Sequence, residues 1–135
     1  MGDQKHNYLL AIFDIDNFKK FNDKNGHLCG DYVLKEISEI ASKNSADDFV
    51  SRWGGEEFVV IAKIDESIEK TISNIDRIRE TIENYEFNYD NKKLKSTVTI
   101  GVAEYDNYSS IDDWIKIADE KLYQGKHSGK NKTVS

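Results

Sequence analysis

Arg52-Trp53-Gly54-Gly55-Glu56-Glu57-Phe58 sets two glycines directly before two carboxylates, with Phe49-Val50 ahead of it and Val59-Val60-Ile61 behind. The flanks read as strands. Two apolar runs joined through Gly-Gly predict a tight β-hairpin, because both central residues of such a turn need positive φ, which glycine adopts without steric cost. Glu56 and Glu57 then ride at the tip. Carboxylates beside a turn that carries no side chains offer hard oxygen ligands and leave room for a bulky group to approach the backbone, a place for magnesium and a phosphate. The same stretch alone also describes a solvated turn with two surface glutamates, so a partner elsewhere in the chain must decide between the two.

The 135 residues, 38% of them hydrophobic, are the length and composition of one domain spanning 1–135 with one core. Cys29 is the only cysteine, which excludes an intrachain disulfide and fits a reducing compartment; as a residue it reads as a small buried hydrophobe. The first residues lack a basic segment followed by an apolar core, and Tyr8 to Phe13 is too short to span a bilayer. A cytoplasmic protein without a membrane segment is expected. A net charge of -6 opposes binding to nucleic-acid polymer, while a small anion can still be gripped by a few lysines and a metal.

Tyr8-Leu9-Leu10-Ala11-Ile12-Phe13 is an unbroken apolar run of strand length, as for a strand buried on both faces in mid-sheet. It ends in Asp14-Ile15-Asp16, carboxylates at the sheet's rim where they can meet a ligand. Asp14 and Asp16 are expected to face opposite sides, so that at most one is a direct ligand in the hairpin's site; Asp14 is favoured, and Asp16 either joins the site or caps the next helix. That helix, Asn17 to Lys24, turns Phe18 and Phe21 inward, and its N-terminus suits phosphate, with Lys19 able to add a charge.

Residues 22–31 read as a structured polar loop with Gly26 and Gly30; an EF-hand register would put Phe21 and Tyr32 where carboxylates are required, so that reading fails. His27 has no second histidine at metal-site spacing. Asp31 starts or caps a helix to about Ser42 carrying Val33, Leu34, Ile37, Ile40 and Ala41 inward. A long helix follows from the spacing of Ile68, Ile72, Ile75, Ile78, Ile82 and Tyr85. Phe87 to Tyr89 and Thr97 to Val102 flank a polar turn and suggest a second hairpin, with Val98, Ile100 and Val102 on one face. Ser110 opens a last helix through Tyr123 with Ile111, Trp114, Ile115, Ala118 and Leu122 inward, ended by Gly125 or Gly129. The basic tail from Lys126 to Lys132 is either a frayed end or an arm to phosphates. The order β-α-α-β-β-α-β-β-α gives a mixed sheet with helices packed on it.

If the strand ending in Asp14 neighbours the hairpin ending in Glu56, an aspartate and a glutamate meet around divalent metal, the pair that two-metal nucleotidyl transfer needs. With Phe13-Asp14-Ile15-Asp16-Asn17-Phe18-Lys19-Lys20-Phe21-Asn22-Asp23, then Gly26-His27, Gly30-Asp31 and the closing Ala118-Asp119-Glu120-Lys121-Leu122-Tyr123 with Lys126 and Gly129-Lys130-Asn131, the chain resembles a GGDEF domain of the diguanylate cyclase family in its GGEEF form, over Leu9 to Asn131.

The resemblance implies a polymerase-palm, ferredoxin-like α/β (α+β) sandwich and an enzyme, a nucleotidyltransferase that joins two GTP into cyclic di-GMP with release of pyrophosphate across a homodimer, each domain holding one GTP. It implies Mg2+ or Mn2+ on Asp14, the Ile15 carbonyl and Glu56, with Glu56 or Glu57 and Lys19 in catalysis. Asn22 and Asp31 are expected on guanine, and the Asn17 and Phe18 backbone with His27, Gly55, Lys126 and Lys130 elsewhere on the substrate. The sequence departs from the family's pattern in three places. The usual N-terminal helix does not precede the first strand, Lys130 replaces an arginine, and Ser45-Ala46-Asp47-Asp48 stands where many members have the Arg-x-x-Asp product-inhibition motif. Alternatives are a minimal CRISPR-polymerase-like cyclic nucleotide synthase preferring ATP, and a non-catalytic domain that binds nucleotide or a protein partner.

Overall fold

A computed structural model describes residues 8–44, 49–52, 55–106 and 110–135. Strand β1 (Tyr8–Ile15) is followed by helices α1 (Phe18–Asn25) and α2 (His27–Lys43), the hairpin β2 (Phe49–Arg52) and β3 (Glu57–Lys63), and helix α3 (Ile68–Asn84). Then come β4 (Phe87–Tyr89), β5 (Lys92–Leu94), β6 (Val98–Glu104), α4 (Ile111–His127) and β7 (Thr133–Val134). Five strands form one sheet in the order β2-β3-β1-β6-β7, and β4 with β5 forms a separate ribbon. β1 is antiparallel to both β3 and β6, while β7 lies parallel to β6. This is the mixed α/β, palm-like sandwich expected from the sequence.

Position in mid-sheet explains the composition of β1. Successive side chains alternate between faces. Leu9, Ala11, Phe13 and Ile15 enter the core formed with α2 and α3, whereas Leu10 and Ile12 meet Trp114, Ala118 and Leu122 of α4 on the other side. Burying a side chain of this size contributes about 1.5–3 kcal/mol, so neither face tolerates a polar residue until the rim is reached at Asp14.

The structure corrects several local expectations. Residues 22–31 are not a loop: the polar residues 22–25 close α1, Gly26 alone at φ 90 breaks the chain, and α2 begins at His27, which leaves Asp31 within the helix and capping nothing. The turn of the β2–β3 hairpin is longer than two residues, because the last paired positions are Arg52 and Phe58. The second hairpin is β4–β5; β6 instead joins the main sheet beside β1, where its apolar face is buried. Helix α4 runs past Gly125 to His127, with Gly129 beyond its end, and Ile111 is 58% exposed because α4 meets the sheet only from Trp114 onward. The tail is not frayed: Ile100 N–H donates to the Lys132 carbonyl and β7 completes the sheet. Ser45 to Asp48, together with Trp53 and Gly54, lies outside the described residues.

Candidate functional site

The sheet's rim gathers the carboxylates. Asp14, last but one in β1, stands directly opposite Glu57, the first residue of β3, and the Ile15 N–H donates to the Glu56 carbonyl at 3.4 Å. The hairpin tip and the end of the central strand are therefore neighbours. Gly55 is exposed, and a Cβ there would meet nothing within 4 Å, which leaves the backbone approachable.

Asp14 and Asp16 do not face apart. Positions two apart on an extended chain share a side, and the Lys126 ammonium lies 3.5 Å from Asp14 Oδ2 and 2.7 Å from Asp16 Oδ1. Lys126 also donates to the Asp14 carbonyl at 3.4 Å. Nor does Asp16 cap α1, whose N-cap is Asn17 in the left-handed region at φ 57, with no side-chain cap. Asp16 is instead a buried acceptor. It receives Thr97 Oγ1 at 2.8 Å, Thr99 Oγ1 at 2.6 Å, Lys126 Nζ at 2.7 Å and the Asn131 N–H at 3.0 Å. One carboxylate thus ties the rim of β1 to β6, α4 and the tail.

Charge follows this geometry. Burial raises the Asp14 carboxyl above its ordinary range; Lys126 opposes that, while Glu56 and Asp16 add repulsion. Burial likewise raises Glu57, with Asp14, Asp119 and Glu56 pushing the same way. For Asp16 burial alone would raise the carboxyl, but hydrogen bonds from Lys126, Thr99 and Thr97 together outweigh it and hold it below its usual value. Burial raises the thiol of Cys29, consistent with a small buried hydrophobe.

A hard divalent cation fits this rim. Asp14 Oδ1 is buried without a hydrogen-bond partner among the described residues, and the like charges of Asp14, Glu56 and Glu57 crowd together. Among the described residues no group of three or more His, Cys, Asp or Glu is placed to hold a metal ion by itself. The unpartnered Asp14 oxygen, with the Glu56 carboxylate near it, suits an ion that keeps waters and shares substrate phosphates, as magnesium does.

Asn22 and Asp31 come from adjacent helices. Asn22 Oδ1 is buried without a partner among the described residues, and it lies against Gly30, where a Cβ would fall directly on it. Gly30 thus makes the space that Asn22 occupies, beside Asp31 in the chain. Asp31 and His27 are exposed on α2. Phe18 is buried at the start of α1, Lys19 is exposed next to it, and Lys130 Nζ donates to Asn17 Oδ1 at 2.7 Å. Sequence reading gave Thr97 and Thr99 no part in the site, and it quoted Gly30 and Asn131 within the family motifs without assigning either a role. The alternation that placed Val98, Ile100 and Val102 on one face already turned the two threonines to the other, where Asp16 lies.

Residues 2–132 match the family described as diguanylate cyclase, GGDEF domain. The chain is 35% identical over 135 residues to Diguanylate cyclase A of Treponema denticola, covering 98% of this chain and 36% of that protein. It is 36% identical over 125 residues to Diguanylate cyclase DgcP of Pseudomonas aeruginosa, covering 92% of this chain and 18% of that protein. The chain therefore spans only about a third or less of these relatives. Among solved structures, the GGDEF domain of DgcB from Caulobacter crescentus, in complex with c-di-GMP, superposes with a TM-score of 0.90 at 29% identity, covering 98% of this chain and 79% of that one. No helix among the described residues is long and apolar enough to cross a membrane. With the family pattern running from end to end of the chain and the carboxylates of its motif drawn together at one rim, this protein belongs to the GGDEF domain family.

Proposed function

We propose that the chain is a diguanylate cyclase domain that condenses two GTP into cyclic di-GMP, as one partner in a homodimer of GTP-loaded domains. The observation that carries this reading is the pairing of Asp14 with Glu57 across adjacent strands, next to Glu56, with one Asp14 oxygen left unpartnered. Asp14, Glu56 and the Ile15 carbonyl would hold Mg2+ or Mn2+, which when bound would neutralise charge at the α-phosphate and acidify the attacking hydroxyl.

The chain's own groups do the rest. The 3′-hydroxyl of each GTP forms a bond to the α-phosphorus of the other, the bond from each α-phosphorus to its β-phosphate oxygen breaks, and two pyrophosphates leave as the ring closes. Glu57 takes the hydroxyl proton, a role favoured by a carboxyl that burial and its acidic neighbours hold above the ordinary range. Glu56 stands beside it as the alternative acceptor. The free N–H groups at the start of α1, near Asn17 and Phe18, with Lys19, Lys126 and Lys130, orient the phosphates. Lys126 is already fixed by Asp16, and Lys130 by Asn17.

Guanine is preferred through Asn22 and Asp31. Its N1–H and N2–H donate to a carboxylate, whereas adenine presents an N1 acceptor of like polarity. Incubating the protein with each of the four nucleoside triphosphates and magnesium, with products identified by mass, tests the reading. Cyclic di-GMP from GTP is expected, with product lost in Asp14→Asn and Glu56→Gln while circular dichroism shows the fold intact. A cyclic adenine dinucleotide from ATP, or near-wild-type turnover in either variant, would overturn it.

A further inference from the structure

On the side of α1 that faces β5 lies a groove of about 460 Å³, rimmed by Lys20 and Lys24 of α1 and by Lys93 and Lys95 at the β5 ribbon. All four lysines are exposed, and among the described residues none of their ammonium groups has a carboxylate or hydrogen-bond partner. Four like charges around one concavity repel each other, and in a chain whose net charge is -6 such a concentration is not a consequence of composition. Phe21 and Leu94 line the same groove, both half-buried and packed on the core, so its floor is apolar. Asp16 reaches one end, but its charge is already met by Lys126.

We propose that this groove is a second anion site, one that binds a nucleoside polyphosphate with its phosphates on the lysine rim and its base on Phe21 and Leu94. The volume is that of a small-molecule site. The acidic remainder of the surface disfavours a nucleic-acid polymer or an anionic bilayer, both of which need a broad basic face. The groove adjoins the carboxylate rim, sharing Asp16 and Asn17 with it, but its four lysines have no part in the catalytic reading: loss of activity in Asp14→Asn leaves them unchanged.

Nitrogen-15-labelled full chain, free of divalent cations, would be titrated with inorganic tripolyphosphate, GTP and guanosine, following amide shifts. Saturable shifts at Lys20, Phe21, Lys24, Asn25 and residues 93–97 are expected with both phosphate probes, severalfold tighter for GTP, and weakening as salt rises from about 50 to 300 mM. Exchanging Lys20, Lys24, Lys93 and Lys95 for glutamine should weaken these shifts on the order of tenfold or more, while GTP-induced shifts at Asn22, Asp31 and 126–131 persist. Should the fourfold variant fold poorly, the Lys20→Gln/Lys24→Gln and Lys93→Gln/Lys95→Gln pairs each carry part of the same loss. Shifts confined to Phe18, Lys19 and 126–131, equal affinity for guanosine, GTP no tighter than tripolyphosphate, unchanged affinity without the lysines, or tighter binding of RNA or phosphatidylserine vesicles would each overturn the proposal.

Discussion

Replacing Asp16 by alanine takes the acceptor from four donors at once. Thr97, Thr99, Lys126 and the Asn131 N–H all end on its two oxygens at 2.6–3.0 Å, and the Asp16 side chain is 1% exposed against 19% for Lys126. Removing one member of such a buried pair costs about 3–5 kcal/mol, because the remaining charge stays desolvated. Asp14 shares the ammonium only at 3.5 Å and Thr99 still accepts from Asn131, so the four losses do not add. At roughly 2.1 cal/mol/K of unfolding entropy per residue over 135 residues, a loss of that size lowers Tm by roughly 10–18 °C. Asp16→Asn is the more discriminating change. Lys126 and Thr99 meet one oxygen, Thr97 and Asn131 the other, so an amide can satisfy one pair only and sets its NH2 against the second, for a loss of about 2–3 kcal/mol. Urea unfolding at neutral pH with unchanged m-value measures both. A loss under about 1 kcal/mol in Asp16→Ala would show that the tail and α4 are held by other contacts and would refute this account.

In Gly30→Ala the new methyl falls on Asn22 Oδ1 and displaces that side chain, so KM for GTP should rise on the order of tenfold with little change in Tm; unchanged KM would remove Asn22 from the base pocket. Hydrogen bonds from Arg79 and Thr133 hold the Asp76 carboxyl below its ordinary 3.8; the folded value lies under the unfolded one, so its contribution is present above that pH and lost as pH falls through the folded value. Asp76→Asn should therefore flatten the acid limb of a stability-versus-pH curve, and an unaltered limb counts against the assignment. If two loaded domains form one reaction centre, specific activity rises with protein concentration; a constant specific activity for a monomer in dilute solution contradicts the dimer. Because Ser45 lacks a guanidinium fork, cyclic di-GMP should not bind there, and binding that is lost on mutating Ser45 or Asp48 but survives Asp14→Asn would refute this.

The order of elements apart from β5 and β7, the two-faced burial of Leu9 to Phe13 and the rim position of Asp14 were legible in sequence because each rests on local pattern: an unbroken apolar run, a helical spacing, a carboxylate where the run stops. The family motifs added the residues from Asp14 to Lys130 as a set. Local pattern does not report which strands pair, and that is where reading and structure part. Strand β6 left its expected hairpin for a place beside β1, since an apolar face buried in the main sheet outweighs a short local turn. Residues 22–25 are polar enough for a loop, yet they stay helical because Phe18 and Phe21 anchor α1 on the core and Gly26 alone makes the break. Asp16 is the clearest case. Its four donors lie 81 or more positions further along the chain, and only the folding of β6, α4 and the tail onto the end of β1 turns a rim carboxylate into the buried acceptor that holds Lys126 in place.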